Sequence, residues 1–164
     1  EYAGMERKGF NLKLESVNLN EFIQTISGDF QSLANQYNLQ LSCQLLDKEL
    51  DYTMDAHWCY QAIQNLVGNA MQYANSKVIL TLSSTAKELT IAIEDDGPGI
   101  PADKLDVIFN PFVKLDANRS REQGHFGLGL AISAKVMDWH NGKISATNST
   151  QYSGACFTLT FPIK

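Results

Sequence analysis

Hydrophobic positions change period several times along the chain, and each change marks an element. Leu19, Phe22, Ile23, Ile26, Phe30, Leu33, Ala34 and Tyr37 recur at helical spacing on one face. Asn18 precedes them as an N-cap, and Glu21 completes a capping-box-like pattern, with Val17 and Phe22 placed for a hydrophobic staple. This predicts an amphipathic helix whose apolar face is core and binds no ligand. Leu39, Leu41, Cys43 and Leu45 alternate with polar neighbours, the period of a half-buried strand. Leu12, Leu14 and Ser16 alternate likewise and predict a short strand at a sheet edge, with another at 52–54.

Asp55 then caps a second helix running to about Ala74, with Ile63, Leu66, Val67, Ala70 and Ala74 as its buried stripe. Residues 78–82 and 89–93 read as two strands joined by a polar turn at Ala86 and Lys87. Pro101 opens a short helix ending near Phe109. Residues 110–126 are polar and without period, a loop of a length that usually serves function. A last helix spans 127–139, with Leu128, Ile132, Val136 and Trp139 on one stripe, and strands at 144–147 and 156–161 follow. The order predicts an α+β fold, a two-layer sandwich with a mixed, mostly antiparallel sheet and helices on one face.

Composition narrows the function. The net charge of −5 speaks against a nucleic-acid surface, which needs a basic face. It leaves an anionic ligand open, because a metal ion and oriented backbone N–H groups can hold phosphate locally. Cys43, Cys59 and Cys156 form no paired motif and read as inert thiols in a reducing, cytoplasmic setting. His57, His125 and His140 lack metal-ligand spacing. The chain starts at Glu1 rather than Met, so residues 1–10 read as a linker or the tail of something upstream, and 11–164 as one domain.

Three stretches carry chemistry. In the first, the apolar strand at 89–93 runs into Glu94, Asp95, Asp96, Gly97, Pro98, Gly99 and Ile100, which fixes a carboxylate at a sheet rim and lets the backbone approach what it holds. In the second, Asn65, Asn69 and Tyr73 are spaced by four along one stripe of the second helix. A carboxamide oxygen is a hard neutral ligand suited to Mg²⁺. In the third, Gly124, His125, Phe126, Gly127, Leu128, Gly129 and Leu130 join the loop to a helix start, where free N–H groups and glycine admit phosphate. This is neither a P-loop nor a dinucleotide fingerprint, because the Lys-Ser/Thr pair of the one and the third glycine of the other are absent.

Taken in order, an Asn-x-x-x-Asn helix, a strand ending Asp-x-Gly-x-Gly, Phe109 and Phe112, a loop and a Gly-x-x-Gly-x-Gly-Leu run resemble the ATP-binding catalytic domain of bacterial two-component sensor histidine kinases. These domains adopt the Bergerat-type fold shared with gyrase, heat-shock chaperone ATPases and MutL. The resemblance extends through Gly154, Phe157, Phe161 and Pro162. It implies ATP and Mg²⁺ as cofactors, with Asp95 accepting from the adenine amine and Gly97, Gly99 and Ile100 against the purine. Asn69 would bind Mg²⁺, Asn65 would support the phosphate side, and Tyr73 would flank the base. Lys114, with Arg119 or Arg121, would meet the terminal phosphates, and Gly124, His125, Phe126, Gly127, Leu128, Gly129 and Leu130 would line them. Phe109 and Phe112 would anchor a mobile lid at 110–126.

Departures from the family pattern are Gln72 where many relatives carry Lys or Arg, His125 and Phe126 in the lid motif, and Ala155 where some have Thr. The ATP-hydrolysing relatives place Glu at the position of Asn65, and Asn cannot take a proton. The implied activity is therefore protein histidine kinase, with Asn65 and Lys114 in catalytic positions. No histidine here has the setting of the family's phosphoacceptor. The resemblance thus implies donation of the γ-phosphate to a separate dimerisation domain in a cytoplasmic part of a homodimeric, inner-membrane parent, and relay to a response regulator. Two other functions are weighed against it, an ATP-hydrolysing member of the superfamily and a non-catalytic nucleotide-binding docking module.

Overall fold

A computed structural model describes residues 11–110, 128–149 and 151–163. The elements in chain order are β1 (Glu15–Asn18), α1 (Leu19–Gln36), β2 (Gln40–Gln44), β3 (Asp51–Met54), α2 (Ala56–Tyr73), β4 (Lys77–Ser84), β5 (Glu88–Asp95), a 3-10 turn (Ala102–Lys104), α3 (Leu128–Trp139), β6 (Lys143–Asn148) and β7 (Ala155–Pro162). The main sheet has the order β2-β4-β5-β7-β6, parallel between β2 and β4 and antiparallel elsewhere. The architecture is the predicted mixed sheet with helices over one face.

Two local expectations change. The first strand begins at Glu15 and pairs antiparallel with β3 in a separate two-stranded ribbon, so it edges no large sheet. The segment after Pro101 forms successive 3-10-type turns rather than an α-helix, because the N–H groups of Lys104, Val107 and Asn110 bond back to the carbonyls of Pro101, Lys104 and Val107, with no α-helical ladder among the described residues.

The caps follow the sequence. Asn18 Oδ1 accepts from Glu21 N–H at 3.0 Å, and Asp55 Oδ1 accepts from Trp58 N–H at 3.0 Å, each satisfying a first-turn donor. The period-2 pattern of β5 and β7 sends Leu89, Ile91, Ile93, Phe157, Leu159 and Phe161 into the core, against Leu66 and Val67 of α2 and Val136 of α3. The opposite face carries Thr81, Ser83, Thr90, Ala92, Ser145, Thr147, Thr158 and Thr160, half-buried or exposed and small, together with Lys77, Glu94, Cys156 and the buried Ile79.

A buried junction ties α2 to α3. His140 Nε2 accepts from Asp55 N–H at 3.0 Å while its Nδ1 lies 2.8 Å from the Val136 carbonyl, so the ring donates from Nδ1. Cys59 Sγ lies 3.5 Å from the same Nε2, and burial, with Asp55 nearby, pushes the thiol well above its ordinary range. The other Asp55 oxygen accepts from Lys13 N–H at 2.8 Å.

Asp96 holds the connection from α2 to β4. Its Oδ1 accepts from the N–H groups of Asn75, Ser76 and Lys77, and its Oδ2 from the Ser76 hydroxyl. Burial alone would raise this carboxyl, but the Ser76 hydroxyl and the N–H groups of Ser76, Lys77 and Asn75 outweigh it and hold the pKa at about 2. A folded-state pKa below the ordinary 3.8 means stability that is present above that value and lost as pH falls toward 2. Asp96→Ala is therefore expected to destabilise the chain by about 1–2 kcal/mol at neutral pH. Thermal melts of the two proteins should converge as the pH is lowered through that window.

Candidate functional site between α2 and the end of β5

The core-facing stripe of β5, Leu89, Ile91 and Ile93, ends at Asp95, which is 1% exposed. Strand periodicity thus puts a carboxylate where the next apolar residue would stand. Oδ1 accepts from Gly97 N–H at 2.8 Å and from Ala155 N–H at 3.3 Å. Oδ1 thus fixes the group, while Oδ2 makes no hydrogen bond among the described residues. Burial pushes the Asp95 carboxyl up to about 6; the two N–H groups pull it down, and Asp96 and Glu94 push it further up.

The glycines around it are dictated by contact. A Cβ on Gly97 would lie 2.1 Å from the Tyr73 carbonyl oxygen, and one on Gly154 would lie 2.1 Å from the Asp95 carbonyl oxygen. Gly99 adopts φ +84°, a conformation that L side chains rarely take. Ile100 is buried, and its backbone is held by the Asn148 side chain.

Helix α2 forms the other wall. Tyr73 meets Gly97 at its C-terminal end. Eight residues earlier, Asn65 Nδ2 donates to the Gly129 carbonyl at 3.2 Å, where α3 begins. The stripe Asn65, Asn69, Tyr73 thus runs for about 12 Å from the start of α3 to the Asp95 turn. Asn69 lies mid-way and is buried, 8% exposed, with no hydrogen bond to its carboxamide among the described residues. Ser133 Oγ donates toward the carbonyls of Ala62 and Gly129, fixing the α3 start against α2.

Of the predicted site residues, Asn65, Asn69, Tyr73, Asp95, Gly97, Gly99, Ile100, Gly129 and Leu130 fall along this wall and turn, with Leu130 itself buried. Leu128 opens α3. Lys114, Arg119, Gly124, His125, Phe126 and Gly127 lie outside the described residues, as do Phe112, Arg121 and the lid from Pro111 on. Sequence reasoning missed Asp96, Ser133 and Asn148 as supports. The pairing of Asp96 with a second carboxylate was visible, but its partners at 75–77 were not.

A buried carboxylate at the end of β5 thus faces a helix that carries two carboxamides, Asn65 and Asn69. The family model described as histidine kinase-, DNA gyrase B- and HSP90-like ATPase matches residues 54–164. The chain belongs to this family. Relatives include the sensor protein RstB of Escherichia coli, 30% identical over 99% of this chain and 37% of its own length. The sensor protein kinase WalK of Staphylococcus haemolyticus is 32% identical over 98% of this chain and 26% of its own length. The chain therefore spans only about a quarter to a third of these curated relatives. Among solved structures, a nucleotide-free catalytic domain of the histidine kinase ThkA superposes with a TM-score of 0.82 at 28% identity, covering 92% of this chain and 96% of that one. Full-length ShkA in complex with AMPPNP shares the fold, with a TM-score of 0.86 at 22% identity over 98% of this chain and 33% of that one.

Proposed function

We propose that this chain is the catalytic part of a sensor histidine kinase that binds Mg-ATP and donates the γ-phosphate to a histidine on a dimerisation domain outside it. The observation that carries this reading is Asp95: buried, its Oδ1 held by two backbone N–H groups, its Oδ2 left to accept from an adenine amine. Gly97 and Gly99 let the turn beside that carboxylate close directly on the Tyr73 carbonyl and the Asn148 amide, and the purine is proposed to lie against this turn. The phosphates would then extend along α2 toward Gly129 and the start of α3, where N–H groups and the helix dipole favour anions.

Asn69 fits a magnesium site, because its carboxamide offers a neutral oxygen on the α2 wall with no hydrogen bond among the described residues. The ion supplies charge neutralisation of the phosphates when bound. Asn65, whose amide donates to the Gly129 carbonyl, orients that end of the cleft and has no basic atom to activate water. The reading is therefore transfer to an already nucleophilic nitrogen, dependent on alignment. That nitrogen is not in His140, which is buried with both ring nitrogens engaged. Lys114 and Arg119 are proposed to meet the terminal phosphates, and a response regulator to take the phosphoryl group onward. Among the described residues no helix is long and apolar enough to cross a membrane, and an inner-membrane parent is part of the proposal.

The test offers labelled Mg-ATP to the chain, alone and with the parent's separately made dimerisation domain. Label should appear on the added domain and not on the chain. Asn69→Ala should keep its fold by circular dichroism while ATP binding loses its dependence on magnesium. Sustained hydrolysis without transfer would favour an ATPase, and no binding of ATP or ADP at millimolar concentration would favour a docking module.

A further inference from the structure

The geometry points to Asn148 as a positioning residue that clamps the Asp95–Ile100 turn and thereby sets nucleotide affinity and purine preference; this rests on the nucleotide reading above. Asn148 Oδ1 accepts from Ile100 N–H at 2.6 Å, and Asn148 Nδ2 donates to the Ile100 carbonyl at 3.1 Å. One carboxamide thus takes both backbone groups of one residue, 48 positions away in sequence.

The clamp is placed by strand register. Asn148 stands directly opposite Ala155 in the β6–β7 ladder, and Ala155 N–H is one of the two donors on Asp95 Oδ1. The same rung therefore grips both ends of the turn, Asp95 through Ala155 and Ile100 through Asn148. Between them Gly97 N–H closes back on Asp95, and Gly99 sits at φ +84° beneath the amide, where a Cβ would come within 2.7 Å of Asn148 Oδ1. Pro98, at the middle of the turn, is exposed. A turn fixed at both ends is ordered before the base arrives, which lowers the entropic cost of binding. Asn148 itself is exposed at the strand end, so removing its amide opens no core cavity. This makes it a cleaner probe of the turn than any of its glycines.

The experiment compares the parent chain with Asn148→Ala, Asn148→Asp and Ser149→Ala. Ser149 Oγ donates to Glu94 in the adjoining connection but touches neither Ile100 nor Asp95 among the described residues. Affinity for a non-hydrolysable ATP analogue and its GTP counterpart is measured by titration calorimetry, with thermal melts and amide hydrogen exchange alongside. Asn148→Ala should weaken the ATP analogue by about threefold to tenfold, the loss of two partly exposed hydrogen bonds. It should also narrow the preference over the GTP analogue and speed exchange at Ile100 N–H in the nucleotide-free chain. Asn148→Asp keeps the acceptor for Ile100 N–H and loses the donor, so it should fall between the two. Ser149→Ala should leave affinity and preference as they are, even where it lowers the melting temperature. Unchanged affinity in Asn148→Ala, or an equal loss in Ser149→Ala, would overturn the assignment while leaving nucleotide binding intact. A parent chain that binds no nucleotide would overturn both readings.

Discussion

Asp95→Asn is expected to weaken ATP binding by about 1.5–3 kcal/mol and, at the same time, to make the folded chain more stable. The first effect, on the proposed reading, is the loss of a charged acceptor for the adenine amine. The second follows from burial. The folded-state pKa near 6 lies above the ordinary 3.8, so the ionised carboxylate is disfavoured by folding. Between these values the folded chain holds a proton that the unfolded chain has released, and stability falls as pH rises through the window. Above it the whole penalty stands, on the order of 2–3 kcal/mol. Asparagine can keep Oδ1 on Gly97 and Ala155 without that charge. Its melting temperature should exceed the parent's at pH 7 to 8, by a margin that closes toward pH 4. In the parent, ATP affinity should fall as pH drops below about 6, and the preference for ATP over GTP with it. A variant less stable than the parent at neutral pH, or one that binds ATP and GTP alike with undiminished affinity, would contradict this account of Asp95.

Gly154→Ala is expected to be the more damaging change, although it adds one methyl group. The new Cβ would lie 2.1 Å from the Asp95 carbonyl oxygen and 2.3 Å from Asp95 Oδ1. Neither can give way cheaply, since Ala155 N–H holds that oxygen and the Ser149 N–H bonds the Gly154 carbonyl at 2.6 Å. Either the strand end or the carboxylate must shift, at a cost of about 1–3 kcal/mol in stability. A displaced Oδ2 would also lose the contact with the base that is proposed for it. Denaturant melts and nucleotide titration should both register the change. Gly28, exposed on α1 with nothing near its Cβ position, provides the contrast: Gly28→Ala should leave nucleotide affinity unchanged and stabilise the helix by about 1 kcal/mol.

The elements that sequence reading located are those whose signal is local. The caps at Asn18 and Asp55 announce themselves within three residues, and the period-2 run of β5 predicts that Asp95 points inward simply by continuing the count from Ile93. The Asn65, Asn69, Tyr73 stripe is likewise a matter of helical spacing. What escaped is what depends on pairing between distant segments. Nothing near Glu15 says that its partner is Met54 rather than a strand of the main sheet. Asn148 looks like any polar residue at a strand end until register sets it beside Ile100. Gly154 could be recognised as a glycine near the end of the chain, but the reason for it, an oxygen of Asp95 in the space of its side chain, is written in the β5–β7 pairing. The 3-10 turn after Pro101 shows the limit of a start signal: proline favours a first turn and says nothing about whether the turns that follow build an α-helical ladder.

The helix-free face of the sheet has a bearing on how copies of this domain behave when crowded. Its exposed positions are mostly threonines and serines, and its one large apolar side chain among those strands, Ile79, is itself buried, so little oily area is left for another surface to claim. The two outer strands are short, and β6 opens with a lysine, which discourages a neighbour from adding itself to the ladder. A second copy of this domain therefore finds little on this side to hold.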